Sequence, residues 1–158
     1  LPMKDLQWLL DKYGESHTNK TNKLIHWICV PAIMFSLVGL LKSIPFPVTR
    51  DFILNWAGFL LLGAMIYYLR LSVTMFLGFC LIAYLLLWGN HKIYLAMDRS
   101  YSGLALFSII LFVVAWIGQF IGHKIEGKKP SFLDDLQFLL IGPAWLMHFI
   151  FKKAGIKY

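Results

Sequence analysis

Apolar residues gather along this chain in long runs separated by short polar breaks. Residues 24–41 (LIHWICVPAIMFSLVGLL), 52–69 (FILNWAGFLLLGAMIYYL), 71–89 (LSVTMFLGFCLIAYLLLWG) and 103–122 (GLALFSIILFVVAWIGQFIG) are each 18 to 20 residues long. About 20 mostly apolar residues make an α-helix long enough to cross the hydrocarbon core of a bilayer, so the pattern predicts four spanning helices. Pro31 sits inside the first and is expected to kink it. The breaks are KSIPFPVTRD, with two prolines and a charge cluster, the polar loop NHKIYLAMDRSYS (90–102), and HKIEGKKPS (123–131).

The two ends read differently. In MKDLQWLLDKY (3–13), Met3, Leu6, Leu9, Leu10 and Tyr13 recur at helical spacing, and Lys4, Asp5, Asp11 and Lys12 lie mostly opposite them. That is a short amphipathic helix lying on a membrane surface. A last helix is expected from about 131 to 152, with Ser131 as N-cap and Asp134 and Asp135 in the first turn, where a helix favours negative charge. Its apolar stretch, 138–151, has only 14 residues and contains Pro143 and His148. The expectation is partial insertion, with a fifth full span as the alternative. The fold class is therefore all-α: a polytopic membrane helix bundle forming one integral domain over 1–158, without internal repeats.

Composition agrees. The chain is 59% hydrophobic and 15% charged, against roughly 45–50% and about 25% in soluble domains. Its formal charge of +7 lies in short loops, which reads as a topology signal and a contact to anionic lipid rather than to nucleic acid. With four spans, the N-terminus, the region of Arg70, the 123–130 loop and the C-terminus share one side. That side holds eleven of the 15 Lys and Arg residues, and the other holds Lys42, Arg50, Lys92 and Arg99. Eleven against four makes the N-terminal side cytoplasmic; if the last helix crosses, eight against seven decides nothing. Lys4 and Asp5 open a polar stretch without a cleavable leader, and Met3 reads as the natural start. Short loops lean towards a bacterial inner membrane rather than the endoplasmic reticulum. Cys29 and Cys80 lie within apolar runs and read as packing thiols, not as a disulfide or a zinc motif.

Candidate chemistry sits at the mouths of the runs. In NKTNKLIH, Asn19, Asn22 and His26 fall at i, i+3 and i+7, on one helix face. The amides either orient the His26 ring, as outer groups do for metal ligands, or join it in an interfacial cluster capping the helix. His17 precedes this helix and can fold back over it. In WIGQFIGHKIEGKKP, Gln119 lies inside the fourth run, His123 follows at i+4 and Glu126 three residues later. Polar groups in a bilayer are costly and as a rule functional. A His and a carboxylate suit Fe(II) or Zn(II); alternatively Glu126 pairs in water with Lys128 or Lys129. Gly118 and Gly122 make a small-xxx-small step, read as close helix packing. His148 is either a fourth ligand or a buried His on a backbone carbonyl. His91 falls on the opposite face and reads as a solvated loop residue. Walker, GxGxxG, HExxH and GxSxG motifs are absent, as are the HxxxH and HxxHH patterns of membrane di-iron desaturases.

SHTNKTNKLIHWICVPAIMFS and WIGQFIGHKIEGKKPSFLDDLQFLLIGPAWL, in that order with apolar helices between them, resemble the two signatures of the Mpo1-like membrane proteins. The resemblance covers essentially the whole chain. It implies an Fe(II)-dependent dioxygenase of fatty-acid α-oxidation that turns a 2-hydroxy fatty acid and O2 into CO2 and the acid one carbon shorter. It implicates His17, His26 and His123 as iron ligands, and the charge count puts them near the cytoplasmic face. The spacing from His123 to Glu126 is one residue shorter than in the eukaryotic pattern, and His148 stands where a carboxylate can occur, so the fourth ligand is open. Lys124, Lys128 or Lys129 would attract the substrate carboxylate, and the acyl tail would lie between apolar helices. Competing readings are a zinc-dependent lipid hydrolase on the same scaffold, a haem protein using His26 and His148, and a non-enzymatic lipid-binding or scaffold protein.

Overall fold

Polar caps, more than the limits of the apolar runs, set where each helix begins and ends. The computed structural model of the chain describes residues 6–15, 17–127 and 132–158, the side chains of 132–139 excepted. All regular structure among the described residues is helical, in the order α1 (Leu6–Gly14), α2 (Lys20–Ser43), α3 (Trp56–Leu71), α4 (Val73–Ala96), α5 (Tyr101–Glu126) and α6 (Phe132–Ala154). The expected caps and charges at Met3, Lys4, Asp5, Lys128, Lys129, Ser131, Asp134 and Asp135 lie outside the described residues or side chains.

Helices α2, α4 and α5 are long and apolar enough to cross a membrane. At 24, 24 and 26 residues they extend about 36–39 Å at 1.5 Å per residue. The second apolar run departs from expectation. It yields α3 with 16 residues, about 24 Å, because its first residues are spent on a turn. Asn55 Nδ2 donates to the Asp51 carbonyl (2.9 Å), and Asn55 Oδ1 caps α3 by accepting from Gly58 N–H (3.1 Å). A side chain that satisfies the orphan amides of a helix start fixes that start. Ser72 ends α3 and caps α4, so the two form a hairpin with almost no loop.

Two polar breaks are also shorter than the pattern predicted. Helix α5 continues a turn past residue 122 and carries His123, Lys124 and Glu126, stopping at Gly127 in the left-handed region (φ +74°). Helix α4 runs to Ala96, so His91 is helical, not a loop residue. It does lie at the opposite end of the bundle, where the buried Lys42 donates to its Nδ1 (3.3 Å). Helix α2 runs on through Pro31, which has no N–H to offer the Trp27 carbonyl.

Helix α1 is amphipathic and turns its apolar face onto the bundle. Leu6, Leu9, Leu10 and Tyr13 are buried within the protein, with the Tyr13 ring against Trp145 of α6 (centroids 5.2 Å). The most extensive interhelix contact joins α2 to α5. The glycine pair makes it possible: a Cβ on Gly118 would stand 2.6 Å from Cys29 Sγ, and one on Gly122 would collide with Asn22 Oδ1. The opposite face of α5 carries Ile110, Val113, Val114 and Ile117, each half or more exposed, as lipid-facing positions should be.

Candidate metal centre

Three elements bring three histidines together at the N-terminal end of α2. His17 lies between α1 and α2, His26 on the second turn of α2, and His123 on the last turn of α5. Their ring centroids are 4.0 Å apart for His17–His26, 6.2 Å for His26–His123 and 6.3 Å for His17–His123. Exposure is 3%, 2% and 7%, so all three imidazoles are withdrawn from water.

Each ring is placed by a different device. His17 Nδ1–H donates to the Tyr13 carbonyl (2.7 Å), and the His17 ring stacks on the Tyr13 ring (4.3 Å, 11°). A carbonyl can only accept, so the proton is on Nδ1 and the lone pair on Nε2. A backbone carbonyl holding one nitrogen is the usual partner of a metal-binding His. His26 Nε2 meets the Gln119 carboxamide across the α2–α5 contact, accepting from Nε2 at 3.3 Å. Turned over, the carboxamide would accept from His26 Nε2–H instead. In both orientations His26 Nδ1 is buried without a hydrogen-bond partner, and so is Gln119 Oε1 as placed.

Asn19 and Asn22 act otherwise than the i, i+3, i+7 face predicted. Asn19 precedes α2 and caps it, Oδ1 accepting from Thr21 N–H (2.9 Å) and Asn22 N–H (3.3 Å). Asn22 is fully buried against Gly122. Glu126 reaches back from the end of α5 and accepts from Asn19 N–H (2.5 Å) and Thr18 Oγ1–H (3.1 Å). It therefore locks the two histidine-bearing segments together and places a carboxylate at the positive end of α2.

His148 stands apart. Its Nδ1 donates to the Trp145 carbonyl, and its ring lies against Phe149 (4.1 Å), Tyr158 (6.1 Å) and Trp145 (6.3 Å). Lys124 is exposed beside the cluster on α5. Tyr13 and Trp145 wall the site, Trp145 lying 5.3 Å from His17 and 6.3 Å from His26. In the sequence Tyr13 shows only as part of an apolar stripe, and Trp145 carries no separate signal. The available signal was that Tyr13 precedes His17 by four residues, one helical turn.

The donor set fits a divalent transition metal: three neutral-capable imidazoles, one with an unpaired buried nitrogen and one whose proton is fixed by a carbonyl. Among the described residues no group of three His, Cys, Asp or Glu side chains converges its donor atoms on one point.

The 2-hydroxy-palmitic acid dioxygenase Mpo1-like family model matches residues 3–154. The chain is also 30% identical over 151 residues to the 2-hydroxy-palmitic acid dioxygenase MPO1 of Saccharomyces cerevisiae, covering 94% of this chain and 81% of that one. No solved structure matches it.

Proposed function

The chain belongs to the Mpo1-like family, and from that premise we propose that it is an Fe(II)-dependent dioxygenase acting on a 2-hydroxy fatty acid. The products are CO2 and the fatty acid one carbon shorter. The observation that carries this reading is the gathering of His17, His26 and His123, from both motifs, into one buried cluster.

The reaction balances without a further reductant. The C1–C2 bond breaks, C1 leaves as CO2, and C2 becomes the new carboxyl carbon. The two carbons give up four electrons, which reduce O2, and one water is released. The chemistry that bound Fe(II) supplies is activation of O2 at a centre with open positions, which also suit a carboxylate–hydroxyl chelate.

The protein's own part is positioning. Tyr13 holds His17 through its carbonyl, with the lone pair on Nε2. With its carboxamide turned to accept from His26 Nε2–H, Gln119 would hold the ring and leave the Nδ1 lone pair for the iron. Tyr13 and Trp145 keep water from the imidazoles. Lys124 attracts the substrate carboxylate to the mouth of the site, as Lys128 and Lys129 would. A membrane location suits an enzyme whose substrate is itself dissolved in the bilayer.

The test is metal content and turnover together. Protein purified anaerobically and given Fe(II) is expected to bind one iron per chain and to release CO2 from a 2-hydroxy fatty acid. Zinc in place of iron, or no metal, with no CO2 released, would overturn the reading.

A further inference from the structure

Below the histidine cluster lies a cavity of about 480 Å³ walled by α2, α3, α4 and α6. Its volume falls within the range of about 300–1,000 Å³ usual for ligand sites. Along α3 its lining runs from Phe59 to Tyr68, about 13 Å. The walls are almost wholly apolar. The one deeply buried hydroxyl, on Tyr68, is already spent on the Leu140 carbonyl.

Three observations tie this cavity to the histidines. First, Met34 and Leu37 of its wall share a face of α2 with His26, because positions 26, 30, 34 and 37 make one helical stripe. Val30, which packs against Gly142, and the fully buried Ile33 lie between them on that stripe. Second, the antiparallel course of α2 and α3 puts the Tyr68 end of the cavity towards the site and the Phe59 end away from it. Third, Phe59 and Leu61 also line an adjoining apolar cavity of about 350 Å³, so the space continues past Phe59 towards the opposite membrane face.

We infer that this cavity holds the acyl tail of the substrate, its carboxylate end at His17, His26 and His123, and that Phe59 sets the chain length by closing the far end. The inference rests on the activity proposed above. From His26 to Met34 along α2 is about 12 Å, so a short tail ends before the cavity and only a long one samples its walls. The cavity thus distinguishes long chains from one another and is indifferent to short ones. Gly63 is the position to probe, since it lines the cavity and a Cβ there would have no atom within 4 Å. A side chain added at Gly63 meets no neighbour at its Cβ.

The experiment pairs a turnover profile with a labelling readout that needs no iron. Wild type, Gly63→Phe and Phe59→Ala, each loaded with Fe(II), are given a mixture of 2-hydroxy acids of eight to twenty carbons, and the products are counted by mass. Gly63→Phe is expected to lower turnover of the longest acids relative to the shortest by about ten-fold, and Phe59→Ala to move the optimum to longer chains. In parallel, metal-free protein is photolabelled with a 2-hydroxy acid carrying a diazirine at its terminal carbon. Label on residues 59–67, reduced at least five-fold in Gly63→Phe, supports the inference. Unchanged profiles, label elsewhere, or equal labelling by a phospholipid tail would overturn it. Folding of the variants is checked by Phe59→Ala, whose predicted shift has the opposite sign. If wild type turns over no acid at all, the proposed activity fails, and the photolabel alone still decides whether the cavity takes this tail.

Discussion

Glu126 and Asn19, 107 residues apart in sequence, are joined by a hydrogen bond from the Asn19 backbone N–H to the Glu126 carboxylate at 2.5 Å. The same carboxylate also accepts from Thr18. One side chain at the end of α5 thereby organises the first turn of α2 and the approach of His17.

Glu126→Ala should therefore loosen the junction between the two motifs. The lost bonds cost about 1 kcal/mol, and the N-terminus of α2 loses its favourable charge. Hydrogen exchange is expected to accelerate at the amides of Asn19 and Lys20 while the middle of α2 keeps its protection. Iron content should fall with it, and Glu126→Gln should lie between the two. Unaltered exchange at these amides would show that the bond does not organise the turn.

The four histidines near this end of the bundle should separate into three and one. His17→Ala, His26→Ala and His123→Ala are each expected to lose iron and to reduce turnover at least a hundred-fold. His148→Ala is expected to keep iron near one per chain, because His148 is bonded to the Trp145 carbonyl and its ring packs against Phe149. Iron analysis of the four purified variants checks this directly.

Gln119→Leu retains the volume at the α2–α5 contact but cannot fix the His26 ring. Removing the outer partner of a metal-binding imidazole typically weakens metal binding by about 10–100-fold, and a loss of that size is expected in an iron titration. Gln119→Glu, which can still accept from Nε2–H, should recover most of it.

Gly118→Ala should drive α2 and α5 apart, because its methyl would stand 2.6 Å from Cys29 Sγ. Overpacking of this kind costs about 1–3 kcal/mol, seen as a lower unfolding temperature in detergent. Cys29→Ala added to it removes the obstructing sulfur and should restore stability. Failure of the rescue would mean that the glycine serves something other than this contact.

The electron balance predicts that turnover needs Fe(II), O2 and substrate but no catalytic supply of NADH or ascorbate. Oxygen uptake and CO2 release should rise together, one to one. A requirement for stoichiometric reductant would point to a different oxidation.

Much of this protein is legible in the order of its residues. Hydropathy is a local property, and 18 to 20 apolar residues in succession have few ways to satisfy their backbone in a bilayer other than as helices. That argument placed α2, α4 and α5, put His17, His26 and His123 at one end of the bundle, and assigned His91 to the other. It also marked Gly118 and Gly122 as a packing step. What it misjudged were helix ends, since a cap such as Asn55 or Asn19 overrides the apolar run beside it. Tertiary structure decided the rest. Only the close approach of α2 and α5 over two glycines brings Gln119 to His26 and Glu126 to Asn19. Only the docking of α1 on α6 sets Tyr13 and Trp145 around His17. Periodicity says which face of a helix is buried; which neighbour that face meets depends on packing between segments distant in the chain, and the site is made of those meetings.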